Sequence, residues 1–383
     1  MEKFRLRFDE PVAVAMGPTW EEIGWGPWQF PSIGICDDGT IFASCHSGRD
    51  DELDYGKESY WFASRDGGKT WQKAKACDAP KSFIKCPNGD RLKSVECPPV
   101  PTPEGLFDGC EPVFITNDGD EVWKVYRFDD IKPGHFEKKW KFKRLRVGED
   151  EAVEEFSPVL GWNHMPILTG PTGTMPPFAF GRVRRGPDDS MWVTHYCKGM
   201  DPETGESVDG LAEYFFRSND NGKTWNYASW IDPRKTDGAY VFCEGDITWT
   251  PSGCAVTLLR GASSFYAVSR DGGYTWDAPK LFDKKRYAQP SVKCLDCGVT
   301  LATIGRPGIR LRWSSDPDCE NWSEPIDIID EEHGMDSCCY TEILALSKNE
   351  AMIVYTHFRH KDENGKEGKT LMTVKVTVEE YDE

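Results

Sequence analysis

The sequence has no long run of apolar residues and no stretch with the periodicity of a long amphipathic helix. The first absence argues against a membrane-spanning helix, which needs about 20 consecutive apolar residues. The second argues against a helical protein, because helices that build a core carry an apolar stripe with a period of 3.6 residues. Positive charge is also scarce, since 46 lysines and arginines stand against 64 acidic residues and the formal net charge is −18. Such a surface would repel phosphates, so we expect no nucleic-acid partner.

The N-terminal segment MEKFRLRFDE lacks the apolar core of a secretory signal peptide, which favours a cytoplasmic location. The 14 cysteines are therefore expected to be reduced thiols rather than a disulfide framework. Two cysteine pairs, Cys294-x-x-Cys297 and Cys338-Cys339, raise the question of a metal. No second C-x-x-C pair has the spacing of a zinc ribbon, so we expect neither a metal nor a cofactor.

One short pattern occurs in several copies. S-x-D-x-G-x-T-W or a close variant spans Ser64–Trp71, Ser218–Trp225 and Ser269–Trp276, and a degraded copy, one residue longer, spans Ser314–Trp322. Asp and Gly predict a tight turn with positive φ, in which the carboxylate and the Ser hydroxyl bond neighbouring backbone amides. The Thr and Trp would then begin the next strand, with the indole packed under the turn. Three full copies in 383 residues indicate a repeat architecture.

The spacing of the copies predicts the number of repeats. Ser218 and Ser269 are 51 residues apart and Ser269 and Ser314 are 45 apart, each the length of one four-stranded blade. The longer interval before Ser218 has room for blades without the pattern, and residues 109–129 predict a hairpin in one of them. Residues 339–357 predict a further hairpin and residues 369–377 a terminal strand. The predicted blades, in a single domain over residues 1–383, are 26–71, 106–146, 163–225, 240–276, 287–322 and 337–380.

The repeated pattern is the Asp-box, or BNR repeat, and through it the chain resembles the sialidase (neuraminidase) superfamily over almost its whole length. The resemblance implies an all-β fold, a six-bladed β-propeller of four-stranded antiparallel blades. It also implies a site with a tyrosine nucleophile, a glutamate that serves as its base and an aspartate as general acid and base. Three arginines bind the substrate carboxylate in that family.

The resemblance places the nucleophile and its base on two strands. Cys339-Tyr340-Thr341-Glu342 matches the family segment that carries the tyrosine, which makes Tyr340 the candidate nucleophile. A phenol with its usual pKa of about 10 needs a carboxylate to take its proton at neutral pH. Glu244 precedes a hairpin, an arginine and the third Asp-box, in the family's order, and is the candidate base. The alternatives are a tyrosine packed on a blade and a surface glutamate.

The same order of motifs marks the candidate substrate-binding residues. Arg260 precedes the third Asp-box and Arg306 the fourth, as two of the family's carboxylate-binding arginines do. Arg310 alternates with Arg312 on the following strand and is either a further contributor of positive charge or a solvated strand residue. The guanidinium group suits a carboxylate because it donates two parallel hydrogen bonds.

The first blade departs from the family pattern. Gln29, in Trp28-Gln29-Phe30-Pro31, stands where the resemblance expects the first arginine. A glutamine donates hydrogen bonds but carries no charge, so the expected substrate includes acids other than sialic acid and neutral sugars. The loss of one charge-assisted contact, worth about 1.5–3 kcal/mol, would weaken carboxylate binding about tenfold to a hundredfold.

The general acid is expected in the acidic segment that begins at His46 and ends at Gly56. The distance to the first Asp-box favours Asp51, with Asp50 and Asp54 as alternatives, and Arg49 is a further candidate for substrate binding. Such an acid must be protonated near neutral pH, which requires burial or a nearby anion. The alternative interpretation is a solvated acidic loop.

Together these residues predict an exo-acting glycoside hydrolase that cleaves a terminal, acidic, sialic-acid-like sugar with retention of configuration. Its partner is an oligosaccharide or glycoconjugate substrate. Two other functions are compatible with the sequence. One is a carbohydrate-binding propeller without activity, because Asp-boxes are structural. The other is a related propeller glycosidase or lyase that acts on a different sugar.

Overall fold

The structure is a computed structural model that describes most of the chain. The described residues are 3–50, 54, 57–95, 100–118, 121–131, 141–147, 152–161, 164, 166–169, 174–175, 181–236, 241–285 and 288–381. The contacts divide the chain into two compact units: the first comprises Met1–Asp50, Lys57–Ile84 and Gly245–Glu383, and the second comprises Asp51–Gly56 and Lys85–Glu244. In the part of the chain that is described, no helix is long and apolar enough to cross a membrane.

The described residues form strands with few helices. The first part of the chain contributes six strands, which are β1 (Phe4–Phe8), β2 (Val12–Met16), β3 (Ser32–Ile35), β4 (Ile41–Cys45), β5 (Tyr60–Ser64) and β6 (Gln72–Lys73). A short helix, α1, spans Trp20–Ile23, and 3-10 turns span Ala76–Ser82, Phe128–Asp130, Pro233–Lys235 and Gly334–Asp336.

The middle of the chain contributes fourteen strands. They are β7 (Ile84–Lys85), β8 (Arg91–Val95), β9 (Val100–Pro101), β10 (Phe114–Asp118), β11 (Glu121–Arg127), β12 (Lys141–Arg146), β13 (Ala152–Phe156), β14 (Val159–Gly161), β15 (Pro166–Thr169), β16 (Thr174–Met175), β17 (Arg184–Arg185), β18 (Met191–Met200), β19 (Ser207–Ser218) and β20 (Thr224–Ile231).

The last third of the chain contributes eleven strands. They are β21 (Cys243–Trp249), β22 (Ala255–Arg260), β23 (Ser264–Ser269), β24 (Lys280–Asp283), β25 (Ala288–Cys294), β26 (Thr300–Gly305), β27 (Ile309–Ser314), β28 (Ile326–Ile329), β29 (Cys338–Ala345), β30 (Glu350–Lys361) and β31 (Glu367–Glu380).

Six of the sheets in the described ranges have four or five strands. Their orders are β3-β4-β5-β6, β7-β8-β12-β13, β17-β18-β19-β20-β14, β21-β22-β23-β24, β25-β26-β27-β28 and β29-β30-β31-β1, the last with β2 also paired to β31. The pairing is antiparallel apart from that of β14 with β20. These sheets are the blades of a six-bladed β-propeller, which confirms the predicted fold class and number of blades.

The second and third blades lie at other positions than predicted. The second sheet extends from Ile84 to Phe156 rather than over residues 106–146, and the third extends from Arg184 to Ile231, with β14 added at its edge, rather than over 163–225. The hairpin expected at 109–129 does form, as β10 and β11, but it pairs with β15 in a separate three-stranded sheet. Alternation of apolar and polar residues predicts a hairpin, whereas it carries no information on which sheet the hairpin joins.

Both ends of the described chain meet in the sixth blade. The sequence predicts that this blade consists of residues 337–380 alone. In the structure β31 pairs with β30 on one side and, on the other, with β1 from Phe4 to Phe8 and β2 from Val12 to Met16. The N-terminal strands therefore complete the blade begun by the C-terminal strands, and the edge of β31 is covered, which blunts edge-to-edge association.

The first Asp-box has the local structure that its sequence predicts. The Asp66 carboxylate accepts hydrogen bonds from the backbone of Thr70 at 3.0 Å, from its hydroxyl at 2.6 Å and from the Ser64 hydroxyl at 2.8 Å. These bonds lower the pKa of Asp66 to about 2. Gly67 and Gly68 have φ of 74° and 89°, and the Trp71 indole donates to the Gly68 carbonyl at 3.1 Å. The predicted turn with positive φ and a packed indole is confirmed.

The degraded fourth copy closes its turn differently. The Ser314 hydroxyl donates to the carbonyl of Asn321 at 2.6 Å, and Asp316 accepts from the backbone of Asp318, Glu320 and Asn321. Cys319 takes the positive φ, at 52°, that the glycines provide in the other copies. The extra residue thus lengthens the turn, while the aspartate remains the acceptor of its amides.

Removal of the buried hydroxyl of the second Asp-box is expected to destabilise the protein. The Ser218 hydroxyl accepts from the backbone of Gly222 at 2.9 Å and donates to Asp220 at 2.8 Å. Ser218→Ala leaves a buried N–H without its acceptor, and we expect the free energy of unfolding to fall by about 1–3 kcal/mol in urea denaturation. Ser207→Ala, at the exposed start of the same strand, is the control and should change it by less than about 0.5 kcal/mol. Equal effects of the two substitutions would contradict the structural role of the box.

Buried polar side chains connect the first strands of neighbouring blades in the first unit. The bonds run from the Val292 backbone to Asp246 at 3.0 Å, from the Ile343 backbone to Ser291 at 3.2 Å and from the Ile33 backbone to Glu342 at 3.1 Å. Because a buried N–H without an acceptor is costly, these bonds set the position of each first strand against the next. They hold β29, which carries Tyr340, beside β25 and β3.

Candidate active site

Tyr340 lies on β29 in a ring contact with the first blade. Its ring packs edge-to-face on Phe30, with centroids 4.9 Å apart, and Phe30 packs in the same way on His46 at 4.8 Å. Tyr340 is half-buried, whereas its neighbours Cys339 and Thr341 are fully buried. Successive side chains of a strand point to opposite faces, so the Tyr340 side chain points away from the core and can contact a ligand.

Gln29 lies in a strained segment. Trp28 and Phe30, on either side of it, have φ of 61° and 53°, a conformation that is costly for bulky residues. The strained turn is held by two backbone bonds of 2.8 Å with His46. The Gln29 side chain is fully buried, its Oε1 accepts from the backbone of Gly26, and its Nε2 has no hydrogen-bond partner among the described residues. Its amide orientation is thus fixed, with the donor side unused.

Arg306 follows β26 and packs on an indole. Its guanidinium carbon lies 4.4 Å from the ring centroid of Trp25, a cation–π contact. Its backbone has a φ of 52° and donates to the carbonyl of Gly308 at 2.6 Å. The Nε atom is buried and makes no hydrogen bond within the described part of the chain. Arg306 and Gln29 therefore both carry a buried donor without a described acceptor, which is uncommon and suits the recognition of a ligand oxygen.

Trp25 also contacts the acidic segment. Its indole Nε1 donates to Oδ2 of Asp50 at 2.7 Å. Asp50 and Arg49 are exposed, and Asp54 is half-buried. Asp51, the residue favoured as general acid, lies outside the described residues, so the structure positions only its neighbour Asp50.

Glu244 and Arg260 lie on the fourth blade. Glu244 is the second residue of β21, is half-buried and has a φ of 54°. Arg260 is the last residue of β22, is half-buried and pairs with Ser264 across the hairpin to β23. Positive φ at a glutamate is a backbone outlier of the kind that concentrates at functional sites. Arg306 shares that property, as do Trp28 and Phe30 on either side of Gln29.

Arg310 is surrounded by carboxylates of its own chain. Its guanidinium forms ion pairs with Asp283 at 3.3 Å, Asp327 at 2.9 Å and Glu331 at 3.0 Å. These carboxylates neutralise the charge of Arg310, and the ion pairs join β27 to β24 and to β28. This geometry fits a structural role in the sheet better than either of the two expectations, a substrate-binding arginine or a solvated strand residue.

The cysteines of the two pairs are free thiols, and three of them have a raised pKa. Burial raises the pKa of Cys338 to about 12 and that of Cys339 to about 11, and it also raises the pKa of Cys294. Over the described ranges, no group of three His, Cys, Asp or Glu side chains is arranged to hold a metal ion. The thiols of Cys338, Cys339 and Cys294 are thus protonated at neutral pH and poorly suited to bind a metal as thiolates.

The sequence reasoning did not single out Trp25 or Phe30, which link the candidate residues. Phe30 touches Tyr340, and Trp25 touches Phe30, Arg306 and Asp50. The only signal in the sequence was the density of aromatic residues between Trp20 and Phe30, which is equally compatible with core packing.

Comparison with known proteins agrees with this fold. The BNR/Asp-box repeat family matches residues 62–73, and no curated protein matches the chain. Among solved structures, a protein of unknown function from Dyadobacter fermentans is 17% identical, with a TM-score of 0.64 over 98% of this chain and 99% of that one. The NanB sialidase from Streptococcus pneumoniae is 14% identical, with a TM-score of 0.54 over 97% of this chain and 71% of that one. At this identity the likeness shows the fold alone: a six-bladed propeller with Asp-box repeats, structurally similar to sialidases.

Proposed function

We propose that this protein is an exo-acting glycoside hydrolase of the sialidase type, which cleaves a terminal acidic sugar from oligosaccharides with retention of configuration. One observation carries the proposal: residues 25–30 contact both Tyr340, through Phe30, and Arg306, through Trp25. A candidate nucleophile and a candidate carboxylate ligand are thus held by one short segment of the first unit. Strained backbone and buried donors without described acceptors occur in the same place.

The proposed reaction is a double displacement. The Tyr340 oxygen attacks the anomeric carbon while the bond to the leaving oxygen breaks, Glu244 takes the phenol proton, and an aspartate of the 50–54 segment protonates the leaving oxygen. A water molecule then attacks the anomeric carbon, the bond from that carbon to the Tyr340 oxygen breaks, and the water loses a proton to that aspartate. The phenol regains its proton from Glu244, and the enzyme returns to its starting state. The roles of Glu244 and the aspartate rest on the order of residues in the sequence.

Binding of the acid group is assigned to Arg260 and Arg306. Both are half-buried at strand ends, where a guanidinium fork can donate two bonds to one carboxylate. Gln29 adds a neutral amide where the sialidases have a third arginine. We therefore infer a substrate acid bound by two charges rather than three, which widens the range to sugar acids other than sialic acid.

The second candidate is a carbohydrate-binding propeller without hydrolytic activity. Gln29 favours it, because a fully buried glutamine in place of an arginine removes one charged contact to the substrate carboxylate. Such a protein would bind the same sugars and release no product.

Mass spectrometry of reaction products separates the two candidates. The protein is incubated with a pooled panel of sialylated, uronic-acid and neutral oligosaccharides, and released sugars are identified by mass. We expect release of a terminal acidic sugar with addition of one water. Release with an unsaturated product would instead establish a lyase, and no release from any member, together with binding detected by calorimetry, would establish the binding protein.

A further inference from the structure

We propose that Trp25 is a positioning residue that couples Asp50, one of the candidate general acids, to Arg306, and so aligns acid donation with binding of the substrate acid group. The inference rests on the proposed function and extends it to a residue that the mechanism above does not use. Trp25 contacts Asp50 with the edge of its indole and Arg306 with the face, so the hydrogen bond to Asp50 can be removed while an aromatic face for Arg306 is kept.

The first contact is made by the edge of the indole. Its Nε1 donates to Oδ2 of Asp50 at 2.7 Å, a hydrogen bond to a carboxylate group. Asp50 is an exposed residue, and this bond restrains the rotation of its carboxylate.

The second contact is made by the face of the same ring. The guanidinium carbon of Arg306 lies 4.4 Å from the ring centroid. A guanidinium stacked on an indole loses rotational freedom and keeps its N–H groups in the plane of the fork, available to an acceptor. Trp25 thus orients the group that would receive the substrate carboxylate.

Neighbouring aromatic rings hold the indole itself. Trp25 packs edge-to-face on Phe30 at 6.0 Å and on Phe358 at 6.2 Å, and Phe358 is fully buried and stacks on Trp20 at 4.9 Å. Rotation of the indole would displace these rings. The distance between Asp50 and Arg306 is therefore set by a ring with little freedom to move.

The backbone after Trp25 is equally constrained. Gly26 has a φ of 104°, and a Cβ atom there would lie 2.3 Å from the backbone nitrogen of Asp50, so only glycine permits this approach. The Gly26 N–H donates to the side chain of Gln29, which leaves the amide nitrogen of Gln29 as the unused donor. Residues 25 and 26 together orient Asp50, Arg306 and Gln29.

The test uses two substitutions on the substrate that the oligosaccharide panel identifies. Trp25→Phe keeps an aromatic face for Arg306 and removes the N–H, and we expect kcat to fall about tenfold to a hundredfold with KM within about twofold. Trp25→Leu removes both contacts, and KM should then rise about threefold to thirtyfold as well. Trp71→Phe, which removes an indole bond to the Gly68 carbonyl in the first Asp-box, is the matched control and should leave kcat and KM unchanged.

A double-mutant cycle distinguishes positioning from a general structural effect. In an Asp50→Asn background, Trp25→Phe should lower kcat by less than about twofold, because the carboxylate that the indole orients is already gone. Equal loss in both backgrounds, or wild-type kinetics of Trp25→Phe, would overturn the inference and leave the proposed hydrolase intact. A wild-type protein that releases nothing from the panel would overturn the proposed function and this inference with it. Melting temperatures of all variants verify that each is folded.

Discussion

Replacement of Tyr340 by phenylalanine is expected to lower the turnover of the hydrolysed oligosaccharide by about a thousandfold or more. The substitution removes only the oxygen that would attack the anomeric carbon, and loss of a nucleophile typically removes most of the rate enhancement. The phenyl ring retains the edge-to-face contact with Phe30 at 4.9 Å, so the strand and its neighbours should be unaffected. Product release measured by mass spectrometry, over hours for the variant and minutes for the wild type, gives the ratio.

Tyr355→Phe is the matched control for this prediction. Tyr355 lies on the adjacent strand β30, is 2% exposed and belongs to the apolar core of the sixth blade. Its oxygen has no role in the proposed reaction, so the turnover of this variant should equal that of the wild type. Turnover of Tyr340→Phe within twofold of the wild type would contradict the double displacement and leave a hydrolase without a tyrosine nucleophile.

The second large effect concerns Lys369, whose amine is buried and has no acidic partner among the residues that the structure describes. The residue is fully buried on β31, and its Nζ donates to the carbonyl of Gly24 at 2.9 Å. The amine lies 5.0 Å from the ring centroid of Trp20 and 4.6 Å from that of Phe358. Burial lowers the pKa of Lys369 from 10.5 to about 7, an effect only partly offset by the nearby thiols of Cys339 and Cys45.

This shift makes the stability depend on pH with a defined sign. Between the folded pKa of about 7 and the unfolded value of 10.5, the unfolded chain binds a proton that the folded chain does not. Stability therefore rises with pH across this window, by about 1.4 kcal/mol per unit once the folded amine is neutral. Below the folded pKa both states are protonated, and the full cost of the buried charge is present. From pH 7 to pH 9 we expect this residue to contribute a rise of about 2 kcal/mol in the free energy of unfolding.

Urea denaturation of the wild type and of Lys369→Met at both pH values isolates that contribution. Methionine fills a similar volume without a charge. The free energy of unfolding of Lys369→Met, minus that of the wild type, should therefore be about 2 kcal/mol higher at pH 7 than at pH 9. Lys375→Met is the control, because Lys375 lies on the same strand with its side chain 30% exposed and paired with Glu350. If Lys369→Met and the wild type show the same change between pH 7 and pH 9, the lysine is already charged when folded and the expectation is wrong.

The order of motifs in the sequence names the candidate residues, whereas nothing in the sequence names the residues that contact them. Tyr340, Glu244, Arg260 and Arg306 follow from the order of motifs, and the structure places each of them at a strand end or on a first strand. Trp25 and Phe30 did not follow, because an aromatic residue in a loop has the same sequence signature whether it packs in a core or supports a site. Gln29 was recognised as a departure, but only the structure shows that its amide is fully buried and oriented by Gly26.

The Asp-box is determined by local sequence, because its hydrogen bonds join residues at most four positions apart in the full copies. Eight residues contain all donors and acceptors of the turn, so the repeat, and through its spacing the number of blades, can be derived without a structure. The tertiary structure alone decides that β1 completes the sixth blade, that β10 and β11 leave the second blade, and that Trp25 lies between Asp50 and Arg306. These contacts join residues far apart in the chain. They depend on the register between strands of different blades and on the path of the loops, which the alternation of apolar and polar residues does not specify.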